Sequence, residues 1–248
     1  MKPDRSEAIV LLTYPSRERD KLVVFFTPKH GKLKAWAYGA RSLRSRFGAS
    51  LEPLAKVRIA WSEKETEEVL RIEAVDLVRS LFPAQQKLVP SLAATYIAEH
   101  VDTFAQPNDP SELLYRLLDR SAEALLADLP AEAIVAYFEI WVLRLAGIFP
   151  SLRECPGCQR LLELPLRYEE SRSLFVCGSC EAGAGKVLPN DVAEALQALL
   201  RSPVEEFAKL PIPRAVIFEI RGFARFLRRN FLGHELKSHD VLQSVLSA

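Results

Sequence analysis

The sequence predicts an α+β chain: a small five-stranded β-barrel over residues 1–80, then a helical domain interrupted by a four-cysteine insert. Three observations predict it. Short β-rich runs alternating with turn residues fill the first eighty positions. From about Pro83 the apolar residues recur at helical spacing, with capping signals between them. All four cysteines lie between 155 and 180, inside the helical part. The helical part therefore divides into residues 81–150 and 187–248, with the insert at 151–186.

The 248 residues, 49% hydrophobic and 26% charged, describe an ordinary globular protein with room for two domains and an insert. The start has no apolar run of the kind a signal peptide carries, and no stretch reaches the ~18 apolar residues of a membrane span. The expectation is a cytoplasmic protein without a membrane partner. The net charge of +1 hides a division. Residues 1–80 carry 16 basic and 11 acidic side chains, residues 81–150 carry 4 and 9, and residues 151–248 carry 13 and 12. The basic excess sits in the barrel, where a polyanion would be met.

The strands read as Ala8–Tyr14, Leu22–Thr27, Leu33–Tyr38, Ala55–Trp61 and Val69–Val78. Five strands in about eighty residues without a helical stretch suit an OB-type barrel; an SH3-like or split barrel has the same spacing. In the third strand, alternation puts Lys32, Lys34, Trp36 and Tyr38 on one face and Leu33, Ala35 and Ala37 on the other. In the fourth, Lys56 and Arg58 face away from Val57, Ile59 and Trp61. Between Lys29 and Arg46 the chain has six basic residues (Lys29, Lys32, Lys34, Arg41, Arg44 and Arg46) and no Asp or Glu. Cations beside aromatic rings on a sheet face suit single-stranded nucleic acid, the cations meeting phosphates and the rings stacking on bases. A merely solvated face, with Trp36 capping the core, is the competing reading.

Past the barrel, Ala84–Ala105 reads as one or two helices. Asp109-Pro-Ser-Glu112 reads as a helix start with Asp109 as cap, and Ala131–Ala146 as a largely apolar central helix closed by Gly147. His100 reads as structural. After the insert, helices are expected over Asp191–Arg201, after a capping box at Ser202–Glu205, and over Arg214–Phe231. In the last, Val216, Ile220, Phe223, Leu227 and Phe231 form an apolar stripe. Arg214, Arg221, Arg225 and Arg228 fall on the opposite side, as a second phosphate-binding surface or a solvated arginine face.

The insert is the most specific motif. Cys155/Cys158 and Cys177/Cys180 form two C-x₂-C pairs eighteen residues apart, the spacing of a four-thiolate zinc site. Four thiolates close a tetrahedral shell, so Zn²⁺ here is expected to be structural; a redox pair of disulfides or a lost or unfilled site is the competing reading. Strand-like pieces, Leu161–Leu164 and Leu174–Val176, flank a polar bend at Glu169–Ser173. With the thiols committed, and with no Walker loop, GxGxxG, HExxH or GxSxG motif, the chain reads as a non-enzyme.

The order of parts resembles the RecO family of bacterial recombination mediators. The start EAIVLLTYPSRERDKLVVFFTPKHGKLKAWAYGARSLRS carries the resemblance most specifically, through Thr27, Gly31, Ala37 and Gly39–Ser42. The cysteine pairs carry it again, although not every member of that family keeps them. The resemblance implies a protein that binds single- and double-stranded DNA, anneals complementary strands and works with RecR to load RecA. It also implies that the OB-fold serves both DNA and RecR, and that the helical part can hold the tail of the single-strand DNA-binding protein. The same parts would also suit an RNA-binding or ribosome-associated zinc protein, or a purely scaffolding one.

Overall fold

The alternation in the first eighty residues closes into a barrel. In the computed structural model, which describes residues 3–16, 18–42, 45–63, 69–177, 179–180 and 185–246, the strands are β1 (Asp4–Ser16), β2 (Asp20–Thr27), β3 (Gly31–Ala37), β4 (Lys56–Ser62) and β5 (Leu70–Arg79). Their order around the barrel is β1-β2-β3-β5-β4, with β4 returning to β1 and only the β3–β5 contact parallel. That is an OB-type barrel. Val23, Phe25, Leu33, Ala35, Ala37, Val57, Ile59, Trp61 and Ile72 fill its interior. β1 and β2 are also buried on the outside, at Ile9, Leu11, Val24 and Phe26. This explains why AIVLL and LVVFF read as continuous apolar runs rather than alternating ones. The second layer comes from α2 (Leu88–Phe104), which packs on β1 and follows the single-turn α1 (Phe82–Gln85).

Eight helices follow the barrel among the described residues: α1, α2, α3 (Glu112–Leu126), α4 (Ala131–Leu145), α5 (Asn190–Arg201), α6 (Val204–Phe207), α7 (Arg214–Leu232) and α8 (His239–Leu246). They divide between two compact units, residues 1–131 with 236–248, and residues 132–235. The barrel thus shares its unit with α1–α3 and the C-terminal α8. The latter is tied down by Glu99, whose carboxylate accepts from the backbone N–H groups of Lys237 and Ser238 (2.8 Å each) and from the Ser238 hydroxyl.

Three local expectations change. The cap of α3 is Ser111, whose hydroxyl accepts from Leu114 N–H (3.3 Å), and not Asp109. The chain at 106–110 is held against β3 instead, with Asn108 N–H donating to Lys32 C=O (3.1 Å), so helix begins only after it. Gly31, at φ +66°, lets that segment close in; a Cβ there would lie 2.2 Å from Asp109 O. Ser202 caps nothing at α6; its carbonyl accepts from the Tyr137 hydroxyl (3.1 Å), and Pro203 stands at the N-cap. Leu161–Leu164 is not a strand. Pro165 offers no N–H, and the ladder begins at β6 (Leu166–Glu169), which pairs with β7 (Leu174–Cys177) and β8 (Lys186–Val187).

In the second unit, rings join the insert to α7. Tyr168 and Phe175 of the hairpin meet Phe223 with centroids 4.9 and 5.7 Å apart, and Phe149 completes the cluster. Phe223 therefore faces inward as its stripe predicts, whereas Phe231 is 61% exposed at the helix end.

Candidate nucleic-acid interface and metal centre

The metal centre is built by two tight turns. In the first, Gln159 N–H donates to Cys155 C=O and Cys155 N–H to Arg160 C=O (2.8 Å each), so Cys155 and Cys158 share one side of the loop. Gly157 lies under the second pair, where a Cβ would come within 3.2 Å of Cys180 Sγ. The hairpin β6–β7 delivers Cys177 at its end. All four Sγ atoms lie within 4.8 Å of one another, and Cys158 and Cys177 are 3.7 Å apart. A tetrahedral ion with metal–sulfur bonds of about 2.3 Å needs edges of about 3.8 Å. The donor set fits a thiophilic divalent cation, the widest pairs closing by at most about 1 Å on binding. The backbone prepares it: Cys177 N–H donates to Cys155 Sγ (3.4 Å), which holds that thiol down to about 6 against the opposing effect of burial. The Cys180 proton is held, to about 12, by its hydrogen bonds to Cys158 and Cys177. A bound cation would displace that proton, since coordinated thiols ionise.

The ten barrel residues read as nucleic-acid contacts divide into groups. Lys34 is exposed on β3 beside half-buried Trp36, and Trp36 lies across from Arg71 of β5. The Arg71 guanidinium stacks over the Tyr38 ring at 5.3 Å. Arg46 covers Phe47 at 4.9 Å, and Arg41 is anchored by its N–H to Arg19 C=O (2.9 Å). Lys29 is exposed on the β2–β3 turn. Arg44 lies outside the described residues. The structure adds Arg19 and Arg71 to this surface, Arg71 also pairing with Glu73 (3.6 Å). Alternation along Val69–Val78 puts Arg71 on a face, but only the β3–β5 pairing brings that face to Tyr38.

Two of the other cations are neutralised, and the third, Arg58, is flanked by acids. The Lys32 ammonium pairs with Asp102 (3.3 Å) and is nine-tenths buried, covered by α2. Lys56 is held by Asp119 (2.8 Å) and Glu7 (3.6 Å). Asp119 also binds Arg79 (2.7 Å), and Arg58 stands between Glu7 and Asp76 on the neighbouring strands. The basic face predicted for β4 is therefore an acid-balanced one.

Half of the arginine arc of α7 is not on the surface. Arg221 and Arg228 are buried, 5% and 0% exposed, because Glu139 of α4 (1% exposed) draws both inward. Arg221 Nε and Arg228 Nη1 each donate to that carboxylate at 3.3 Å, and Arg228 Nη2 reaches Glu235 at 2.5 Å. Arg214 and Arg225 stay partly exposed and pair with Glu132 and Glu235. Buried charge paired with Glu139 of α4 and with Glu235 just past α7 is a structural network, which excludes Arg221 and Arg228 as phosphate contacts in this fold.

Two cavities of similar size accompany these sites. One, about 650 Å³, opens beside β3 between Lys29, Lys34, Leu33, Trp61, Leu70 and Pro107. The other, about 640 Å³, lies in the second unit between Arg144, Arg153 and Arg201 and the leucines at 152, 161 and 200. Among the described residues no helix is long and apolar enough to cross a membrane.

Comparison with known proteins covers almost the whole chain. Residues 1–81 match the family model for the recombination protein O N terminal, and residues 85–240 that for its C terminal. The chain is 34% identical over 244 residues to a DNA repair protein RecO of Koribacter versatilis, covering 97% of this chain and 98% of that one. It is 32% identical to the DNA repair protein RecO of Anaeromyxobacter sp. strain K (96% and 94% covered). To that of Pelotomaculum thermopropionicum it is 31% identical (98% and 94% covered).

Proposed function

The chain belongs to the RecO family of DNA repair proteins, and on that premise we propose that it is a non-enzymatic, DNA-binding recombination mediator. It binds single- and double-stranded DNA, anneals complementary strands and, with RecR, helps load RecA in the cytoplasm. One observation carries the DNA reading. Around β3, exposed Lys29 and Lys34 have no ion-pair partner among the described residues, and they adjoin Trp36, Tyr38 and the ring-stacked Arg71. Cations that phosphates can neutralise, set beside rings on which bases stack, give sequence-tolerant binding. Holding two strands on one such surface screens their repulsion, which is what annealing requires. The Cys155, Cys158, Cys177 and Cys180 centre takes Zn²⁺, which braces the hairpin against α7 and performs no chemistry. For the single-strand binding protein's tail, the cavity ringed by Arg144, Arg153 and Arg201 supplies cations and apolar surface together.

The test is annealing of two complementary oligonucleotides at low and high salt. Acceleration suppressed by salt is expected. Lys34→Glu should weaken binding and lower the slope of log affinity against log salt by about one phosphate contact. Lys32→Met should do much less, because Asp102 already holds that ammonium. Equal effects of the two substitutions, or annealing indifferent to salt, refute the assignment. A single-stranded RNA that outcompetes DNA of equal length would favour the RNA-binding alternative. Partner capture without nucleic-acid affinity would favour the scaffold.

A further inference from the structure

The barrel wall has a notch beside β3. Among the described residues, β5 joins β3 at Ala35–Leu70 and Trp36–Arg71, and no described strand lies beside the first half of β3 on that edge. A single bridge from Lys32 to Pro107 closes the far end. Gly31 permits this closure, through the close approach of Asp109 described above. What remains is the cavity of about 650 Å³, within the range of small-ligand sites. Its buried part is apolar: Leu33 is 7% and Trp61 4% exposed. Lys29, His30 and Lys34 are exposed at its mouth, as are Glu63 and the 107–110 segment, and His30 is braced at right angles to Trp61 with centroids 5.1 Å apart. Glu63 is the carboxylate among its lining residues.

We propose that this notch receives one unstacked nucleobase of a single strand, with the adjoining phosphates on Lys29 and Lys34. The inference rests on the DNA-binding reading above and adds to it a site that separates single strands from duplex. An apolar slot with cations at its lip suits a flat, weakly polar ring carried between two anions. It suits an uncharged apolar side chain less, because the lysines would find nothing there to pair with. A base in a duplex cannot enter without losing its partner and its stacking. The phosphate contacts serve both forms of DNA, whereas the notch serves only the one whose bases are free to turn out. A strand held with one base turned out keeps the rest of its bases available for pairing, which fits a protein that anneals.

The experiment compares an oligothymidylate with an abasic deoxyribose-phosphate strand of equal length, which has the same charge and no bases. With the full-length protein the oligothymidylate should bind more than tenfold more tightly, the notch giving about tenfold, the worth of one stacked base, and the rings at Trp36 and Tyr38 the rest. Val69→Trp, which puts an indole at the wall of the cavity, should lower that ratio about tenfold while abasic-strand and duplex affinities hold. His30→Ala, on an exposed turn, should reduce the ratio several-fold and serves as a second variant if the first does not fold. A wild-type ratio near one, or a ratio unchanged in the folded variants, overturns the notch. Failure to bind any of these strands in a salt-dependent way would instead overturn the DNA-binding reading on which the notch rests.

Discussion

Substituting Glu139→Gln removes a charge that two buried guanidinium groups share. Glu139 is 1% exposed, Arg221 5% and Arg228 0%, so solvent does not screen the loss. Arg228 keeps Glu235 at 2.5 Å, but Arg221 has Glu139 as its ion-pair partner among the described residues. Breaking a buried pair from one side costs about 3–5 kcal/mol, mostly because the surviving charge stays desolvated. That is a large share of a stability of about 5–15 kcal/mol. With a urea m-value of about 2–3 kcal/mol/M, the midpoint should fall by about 1–2 M. Hydrogen exchange should place the loss in α4 and α7, with the barrel strands still protected. Adding Arg221→Met removes the stranded cation and should restore more than half of the loss, since an apolar replacement of a buried pair is often neutral. A cost below about 1 kcal/mol, or no recovery in the double variant, would refute the view that α7's arginines are internal counterions.

Two further outcomes follow from the same geometry. Purified protein should carry one zinc per chain, and Cys155→Ser with Cys158→Ser should release it and lower the melting temperature of residues 132–235, read by exchange protection of β6 and β7. DNA binding by the barrel should persist; its selective loss in a fully folded variant would move the metal into the DNA site. Acid should detach α8. At Glu99, burial raises the pKa, but the hydrogen bonds from Ser238 and Lys237 outweigh it and hold the carboxyl below its ordinary 4.5. A depressed folded-state value gives stability that is present above 4.5 and is lost as pH falls through the lower folded value. The contribution is on the order of 1 kcal/mol, because solvent reaches and screens this carboxylate. Proteolysis near residues 236–246 should therefore speed up below about pH 4, and Glu99→Gln should show the faster cleavage already at neutral pH.

The sequence by itself determined the barrel strands, the clustering of the four cysteines and the inward face of β3. Leu33, Ala35 and Ala37 had to point one way because side chains alternate in an extended chain, and the barrel core contains all three. Two C-x₂-C turns at ribbon spacing bring four sulfurs together because each turn is a local structure, and the four lie within 4.8 Å. What the sequence left undecided was which cations face water. Lys34 and Lys32 stand two residues apart on the same face of one strand, yet α2 brings Asp102 to one and leaves the other exposed. Arg221 and Arg225 are one helical turn apart, yet Glu139, 82 residues upstream of the first, buries that one. Periodicity reports the direction of a side chain relative to its own element. The charge that meets it comes from another element, and only the tertiary fold brings the two together.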